Sequence, residues 1–279
     1  MLRVRSAVSP RPGTLLPRSL LVPALLGLAF LVVPLLALIA RVQWDTFWVD
    51  ISSPQAVQAL VLSLGTGLAA TGLCVLLGVP LALLIARSAP RTAAVLRALV
   101  TVPLVLPPMV GGVALLFLFG RRGWAGGLLA EAGLTLPFTT TAVVMAQTFV
   151  ALPFLVLAVE GSLRATGTDL EEVAAGLGAR RWLILRRVTL PLAAPGLIAG
   201  VVLSFARAIG EFGATALFAG NAPGVTQTMP LAIYTAFNGA GVTQGTAVAL
   251  SLLLLVAALA ILLLVRGWRA EGPRRGVPG

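Results

Sequence analysis

Residues 168–196 read TDLEEVAAGLGARRWLILRRVTLPLAAPG, in a chain that is otherwise dominated by apolar residues. Thr168 followed by Glu171 has the spacing of a capping box, in which hydroxyl and carboxylate satisfy each other's orphan backbone donors. Asp169, Glu171 and Glu172 fill the first turn, where the helix dipole favours negative charge. Leu170, Val173, Ala174 and Leu177 recur at i, i+3, i+4 and i+7 and form one apolar stripe. Gly178 supplies a left-handed terminator. The pattern predicts a helix of about ten residues, too short to be stable alone in water. Its stripe must therefore dock on something. A helix lying on lipid usually carries lysine and arginine beside its apolar face; this one carries acids, which anionic headgroups repel. Docking on protein is the expectation.

The surroundings are lipid-like. The chain has 279 residues, 58% hydrophobic and 10% charged, with a mean hydropathy of +1.02. A soluble domain carries about 25% charged residues. Six apolar runs, at 19–40, 56–86, 96–119, 138–160, 196–220 and 244–265, reach the ~20 residues that cross a bilayer. The fold class expected is all-α, a polytopic membrane protein of about six transmembrane helices. Its parts are an N-terminal tail (1–18), a membrane domain (19–265) with a large internal loop (161–195), and a C-terminal tail (266–279). The first run exceeds a signal-peptide core and no A-x-A site follows it, so it reads as an uncleaved first helix.

All 20 basic residues are arginine, and the chain has no lysine or histidine. The pI near 11.8 does not point to a nucleic-acid partner, because the arginines sit at the ends of apolar runs. Sixteen flank the two tails and the loops at 87–97 and 164–187, against Arg41, Arg121 and Arg122 on the other side. Cytoplasmic loops carry the basic excess, which predicts a plasma-membrane protein with both termini and the 161–195 loop in the cytoplasm. Without lysine there is no P-loop. Without histidine, and with Cys74 alone, neither a zinc site nor a Cys–His dyad can form. No catalytic or metal-ligating residue is expected, and any use of ATP falls to another polypeptide.

Within the membrane domain, Ser63, Gly67 and Thr71, with Gly65 and Ala69 beside them, predict close helix approach. Pro103, Pro107 and Pro108, followed by Gly111 and Gly112, predict a broken helix, tolerated at depth only inside protein or beside a water-filled cavity. Arg207 and Glu211 lie one turn apart near mid-membrane, where either would cost about 2.5–3.5 kcal/mol unpaired. Two readings stand: Arg207 attracts an anion, or the two form a neutral structural pair. Gln147 and Asn221 are further polar candidates, each also readable as a packing hydrogen bond. Residues 228–237, TMPLAIYTAF, are apolar but too short to span, which predicts a re-entrant or surface helix. Arg121 and Arg122 either meet acidic groups on an external partner or are solvated.

The loop resembles the EAA signature of ABC-importer permeases: Glu172-Val173-Ala174, three residues, Gly178, nine residues, then Val188-Thr189-Leu190-Pro191. Val173 and Val188 depart from that pattern conservatively. The likeness covers about residues 55–265 and implies the type I importer permease fold. It also implies that the loop forms a coupling helix seated in a separate ATPase. The coupling residues it implies are Thr168, Leu170, Glu171, Glu172, Val173, Ala174, Leu177, Gly178, Leu190 and Pro191. Arg207, Glu211, Gln147, Pro107 and Pro108 then become candidates for the pathway or gate. FARAIGEFGATALFAGNAPGVTQTMPLAIY (205–234) and LPPMVGGVALLFLFGRRG (106–123) are similar to molybdate/tungstate permeases, with sulfate/thiosulfate permeases as near relatives. The resemblance implies a homodimer with two ATPase subunits, which hold the ATP and magnesium, and a binding protein that delivers an oxyanion. The chain itself would bind no cofactor. An ion-driven secondary transporter is the rival from another class. It calls for midplane coupling sites, often in inverted repeats, and leaves the docking helix unexplained.

Overall fold

A computed structural model describes residues 18–239 and 244–270. The calls on the two tails and their arginines fall largely outside the described residues. The described residues form helices joined by short turns and contain no strand. In chain order the helices are α1 (Leu21–Ala40), α2 (Trp44–Ser52), α3 (Pro54–Arg87), α4 (Pro90–Val105), α5 (Pro108–Phe119) and α6 (Trp124–Glu131). There follow α7 (Thr140–Thr166), α8 (Asp169–Gly176), α9 (Arg181–Ile184), α10 (Leu190–Ile209), α11 (Gly213–Phe218), α12 (Met229–Phe237) and α13 (Gln244–Ala270).

Helices α3, α7 and α10 form the centre. With lipid outside, burying leucine against leucine gains little, so close backbone approach through small residues holds such bundles. Ala70, Cys74 and Ala82 of α3 meet Ala151, Leu155 and Val159 of α7, and Ala193 and Ala208 of α10. Leu155 is the wedge between the other two helices. A Cβ on Gly78 would lie 2.6 Å from Leu155 Cδ2, and one on Gly200 would lie 3.1 Å from its Cα. Gly78→Ala should thus cost about 1–3 kcal/mol of overpacking. The check is thermal unfolding of the detergent-solubilised protein; an unchanged midpoint would refute the contact.

The small-residue stripe of α3 is turned slightly from the one expected. Ser63, Gly67 and Thr71 are buried as predicted, but Gly65 and Ala69 are exposed, and Thr66, Ala70 and Cys74 complete the face. At 3.6 residues per turn, positions two apart from the buried row point away from it.

Each predicted apolar run is helical, and two are interrupted. The run 96–119 breaks at Leu106 and Pro107, and α4 and α5 meet at 109°. The expectation of a broken helix there is met. Span five, predicted as one helix over 196–220, is also divided: α10 stops at Ile209, and Gly210, Glu211 and Phe212 separate it from α11. The two interruptions lie against each other. A Cβ on Gly112 would fall 2.8 Å from Ala214 Cα, and one on Gly213 would fall 3.1 Å from Met109 N and 3.2 Å from Pro108 Cβ. Only glycines permit α5 and α11 to meet backbone to backbone. Helix α12 packs into the bundle, with Met229, Leu231, Ala232 and Ala236 buried. The Met229 N–H donates to Ser63 Oγ at 2.7 Å, nine residues along α3, about 14 Å from its start.

Candidate functional site

Two groups of polar side chains stand out from the apolar bundle. One surrounds α8, at the end where α3 and α7 stop. The other lies at the break between α10 and α11.

Helix α8 runs Asp169–Gly176, eight residues where about ten were predicted. Its C-terminus is a Schellman turn. Gly178 N–H donates to Ala175 O at 2.9 Å, Ala179 N–H donates to Ala174 O at 3.0 Å, and Gly178 has φ +81°. The left-handed terminator is where the sequence placed it. The capping box is not formed. Thr168 makes no cap with the helix backbone, and its hydroxyl instead donates to Glu172 Oε1 at 2.7 Å. Glu171 turns away to form an ion pair with Arg87, the last residue of α3. Its Oε1 also accepts from Thr189 Oγ1 at 2.8 Å. Either bond would be charge-assisted on the carboxylate side, but the guanidinium adds a full positive charge of its own and so outcompetes the Thr168 amide. One carboxylate thereby ties α8 to the end of α3 and to the approach to α10.

That approach is a single π turn, Leu185–Thr189. Pro191 lacks the N–H that an α-helix would direct at the Arg187 carbonyl, and its ring crowds that carbonyl; the wider turn relieves the clash. Leu190 is half-buried and Pro191 exposed at the start of α10. On α8 the apolar stripe has no cover among the described residues: Leu170 is 59%, Val173 61% and Leu177 84% exposed. Ala174 is half-buried on the inner side.

At the second site Arg207 Nη2 lies 2.6 Å from Glu211 Oε2, and Glu211 is buried. The predicted pair exists, but not along one continuous helix. Glu211 stands in the break, where its other oxygen accepts from Ala214 N–H at 2.7 Å. The carboxylate thus serves both as counter-ion to α10 and as cap to α11. Pro107 occupies the N-cap position of α5 and Pro108 abuts Gly213, which puts Pro108 beside the start of α11. Gln147 is fully buried on α7, and neither of its amide atoms has a hydrogen-bond partner among the described residues. Asn221 has a packing role: it donates to Thr235 Oγ1 at 2.9 Å and accepts from Gln227 Nε2 at 2.9 Å.

Sequence reasoning missed Glu160. It is 3% exposed, with Arg164 Nε at 2.8 Å and Arg97 of α4 at 2.5 Å through Nη2. The i,i+4 spacing of Glu160 and Arg164 was the available signal; Arg97, 63 residues away, was invisible.

Taken together, a bundle of membrane-crossing helices with an acid-tethered helix at one end, its apolar face exposed, defines a multi-pass membrane protein. The chain belongs to the family described as "Binding-protein-dependent transport system inner membrane component", whose model matches residues 78–269. The resemblance carried by the 168–191 motif is thereby borne out. It is 53% identical over 253 residues to the molybdenum transport system permease protein ModB of Mycobacterium tuberculosis, covering 90% of this chain and 94% of that one. Identity to the Escherichia coli K12 protein of the same name is 40%, covering 77% and 93%. Identity to the E. coli sulfate transport system permease protein CysT is 35%, covering 73% and 75%. Among solved structures, a bacterial ABC transporter involved in alginate import matches with TM-score 0.68 at 19% identity, covering 91% and 95%. The MetNI methionine ABC transporter matches with TM-score 0.62 at 21% identity, covering 78% and 96%. These structures establish the fold: the chain has the architecture of an ABC-importer permease.

Proposed function

We propose that this chain is the membrane-spanning permease of an ATP-driven importer of molybdate, with tungstate as a second cargo. The observation that carries this reading is the 53% identity along nine-tenths of the chain to a molybdenum permease, against 35% along less of it to a sulfate permease. The permease acts as a homodimer. Two ATPase subunits grip the two copies of α8, hold the ATP and magnesium, and catalyse hydrolysis; this chain performs no chemistry. An external binding protein delivers the oxyanion to the end opposite α8. The arginine distribution supports a cytoplasmic α8 and cytoplasmic termini.

The exposed Leu170, Val173 and Leu177 supply the apolar grip, and Gly178 lets the chain leave the ATPase cleft in one turn. Displacement of α8 passes through Glu171 to Arg87 and Thr189, and so to α3 and α10 together. Glu211 alone would repel a dianion; its pair with Arg207 removes that obstacle without creating a deep anion trap. Pro107 and Pro108 start α5 where it meets α11, next in the chain to this pair, and Gln147 offers a neutral amide on α7.

The test is radiolabelled molybdate uptake into ATP-loaded liposomes containing permease, ATPase and binding protein. Unlabelled tungstate should compete at equal concentration and sulfate only in large excess. Omitting the binding protein should remove most vectorial uptake. Equal competition by sulfate would reassign the cargo and make a heterodimer with a second permease the better model. Uptake that follows a proton gradient instead of ATP would return the chain to the secondary transporters.

A further inference from the structure

A cavity of about 370 Å³ opens at the α8 end, between the α3–α4 turn and the end of α7. Arg87, Arg97 and Arg164 line it, with Ser88, Pro90 and Thr168. No carboxylate is among its described lining residues. Glu171 and Glu160 pair with these arginines without lining the cavity themselves. Glu172 reaches the rim only through the Thr168 hydroxyl, at 2.7 Å. Each guanidinium keeps N–H donors that these bonds do not use. Their side chains are 32%, 36% and 49% exposed, so the cations are neither sealed in nor free in bulk solvent.

The position matters as much as the charge. Arg87 ends α3, Pro90 begins α4 and Arg164 lies in the last turn of α7, so the cavity sits where three membrane helices reach the interface. Leu84, Val95 and Leu99, on the neighbouring turns of α3 and α4, are 55%, 59% and 62% exposed. Acyl chains can lie along them. Basic pockets between helices at this level suit anionic headgroups, and guanidinium forks suit phosphate oxygens.

We infer that this cavity binds a phosphate-type tetrahedral anion through Arg87, Arg97 and Arg164, supplied either by an anionic lipid headgroup or by free anion in the adjoining water. The bound anion competes with Glu171 for Arg87, so occupancy of the cavity bears on the tie between α8 and α3.

The test uses the full-length chain in detergent. Native mass spectrometry would compare retention of phosphatidylglycerol with that of phosphatidylcholine, and thermal shift would be followed with inorganic phosphate alone. A lipid-supplied site retains phosphatidylglycerol selectively. Arg164→Gln, which leaves Glu160 paired with Arg97, should weaken that retention about fivefold, the effect of one guanidinium near the membrane surface. Arg91→Gln, an exposed arginine of α4 outside the cavity, should leave it unchanged. A site supplied from solution instead shows stabilisation by millimolar phosphate that Arg164→Gln removes and Arg91→Gln keeps. The wild-type comparison stands whether or not a variant folds. Neither lipid selectivity nor phosphate stabilisation in the wild type overturns the proposal, as does an equal loss in both variants.

Discussion

Replacing Glu211 with alanine should abolish uptake and sharply lower the thermal stability of the detergent-solubilised protein. The substitution leaves the Arg207 guanidinium without its counter-charge and the Ala214 N–H without its acceptor. Removing one partner of a buried ion pair costs about 3–5 kcal/mol, and an orphaned buried donor about 1–3 kcal/mol. Arg207 is 26% exposed, so the lower end of the first range applies. Arg207→Ala should be damaging for the mirrored reason, since it strands a buried carboxylate. Glu211→Gln keeps an acceptor for Ala214 and removes the charge, so Arg207→Ala combined with Glu211→Gln should regain much of the stability lost by Arg207→Ala alone. Stability and uptake measured over that cycle separate two roles. A double variant that is stable and transports fits a neutral structural pair. One that is stable but inactive makes Arg207 a group that attracts the anion. A double variant no more stable than Arg207→Ala would refute the pair itself.

Glu171→Lys should reduce uptake by more than tenfold while leaving membrane insertion intact. It sets a cation against Arg87 and removes the acceptor of Thr189, so α8 loses its ties to α3 and α10 in one step. Gly178→Val should act similarly from the other end of α8. A β-branched residue at φ +81° carries strain of about 1–3 kcal/mol, enough to unwind the last turn of a short exposed helix. Glu172→Lys should be milder, because Glu172 meets only the Thr168 hydroxyl. The measurement is ATPase co-purification together with the ratio of ATP hydrolysed to cargo taken up. Normal coupling in Glu171→Lys would remove that residue from the transmission path.

Local chemistry made much of this legible beforehand. Gly178 was readable because a left-handed terminator is a one-residue requirement. Arg207 and Glu211 were readable because two charges one turn apart in an apolar run have few other solutions. Pro107 and Pro108 announced a break because proline removes a donor wherever it sits. What escaped the sequence depends on tertiary neighbours. Glu171 had the spacing of a capping residue, but Arg87, 84 positions away, offered a charged partner that no local rule can see. The interruption at Gly210–Phe212 was missed because the apolar residues on either side of it read as one run; Gly210 and Gly213 beside Glu211 were the available signal. Hydropathy measures whether a segment can sit in lipid and is blind to whether its backbone ladder is continuous. Glu160 was hidden in the same way, behind one partner on its own helix and one on α4.

The two chain breaks have a mechanical consequence. Resistance of a helix to bending comes from its unbroken ladder of backbone hydrogen bonds. Helices α3, α7 and α10 each lose a single rung, at Pro80, Pro153 and Pro195, yet stay helical through it; locked through Leu155, they are the stiffer part of the molecule. The ladder lapses at Leu106–Pro107 and again at Gly210–Phe212, and the glycine contacts of α5 with α11 bring those lapses side by side. Two compliant joints on one line act as a single hinge. A load applied to the stiffer helices would be relieved there first, and because Leu115 of α5 and Ala214 and Phe218 of α11 pack together on Val143, Ala146 and Val150 of α7, α5 and α11 would shift as one unit along α7.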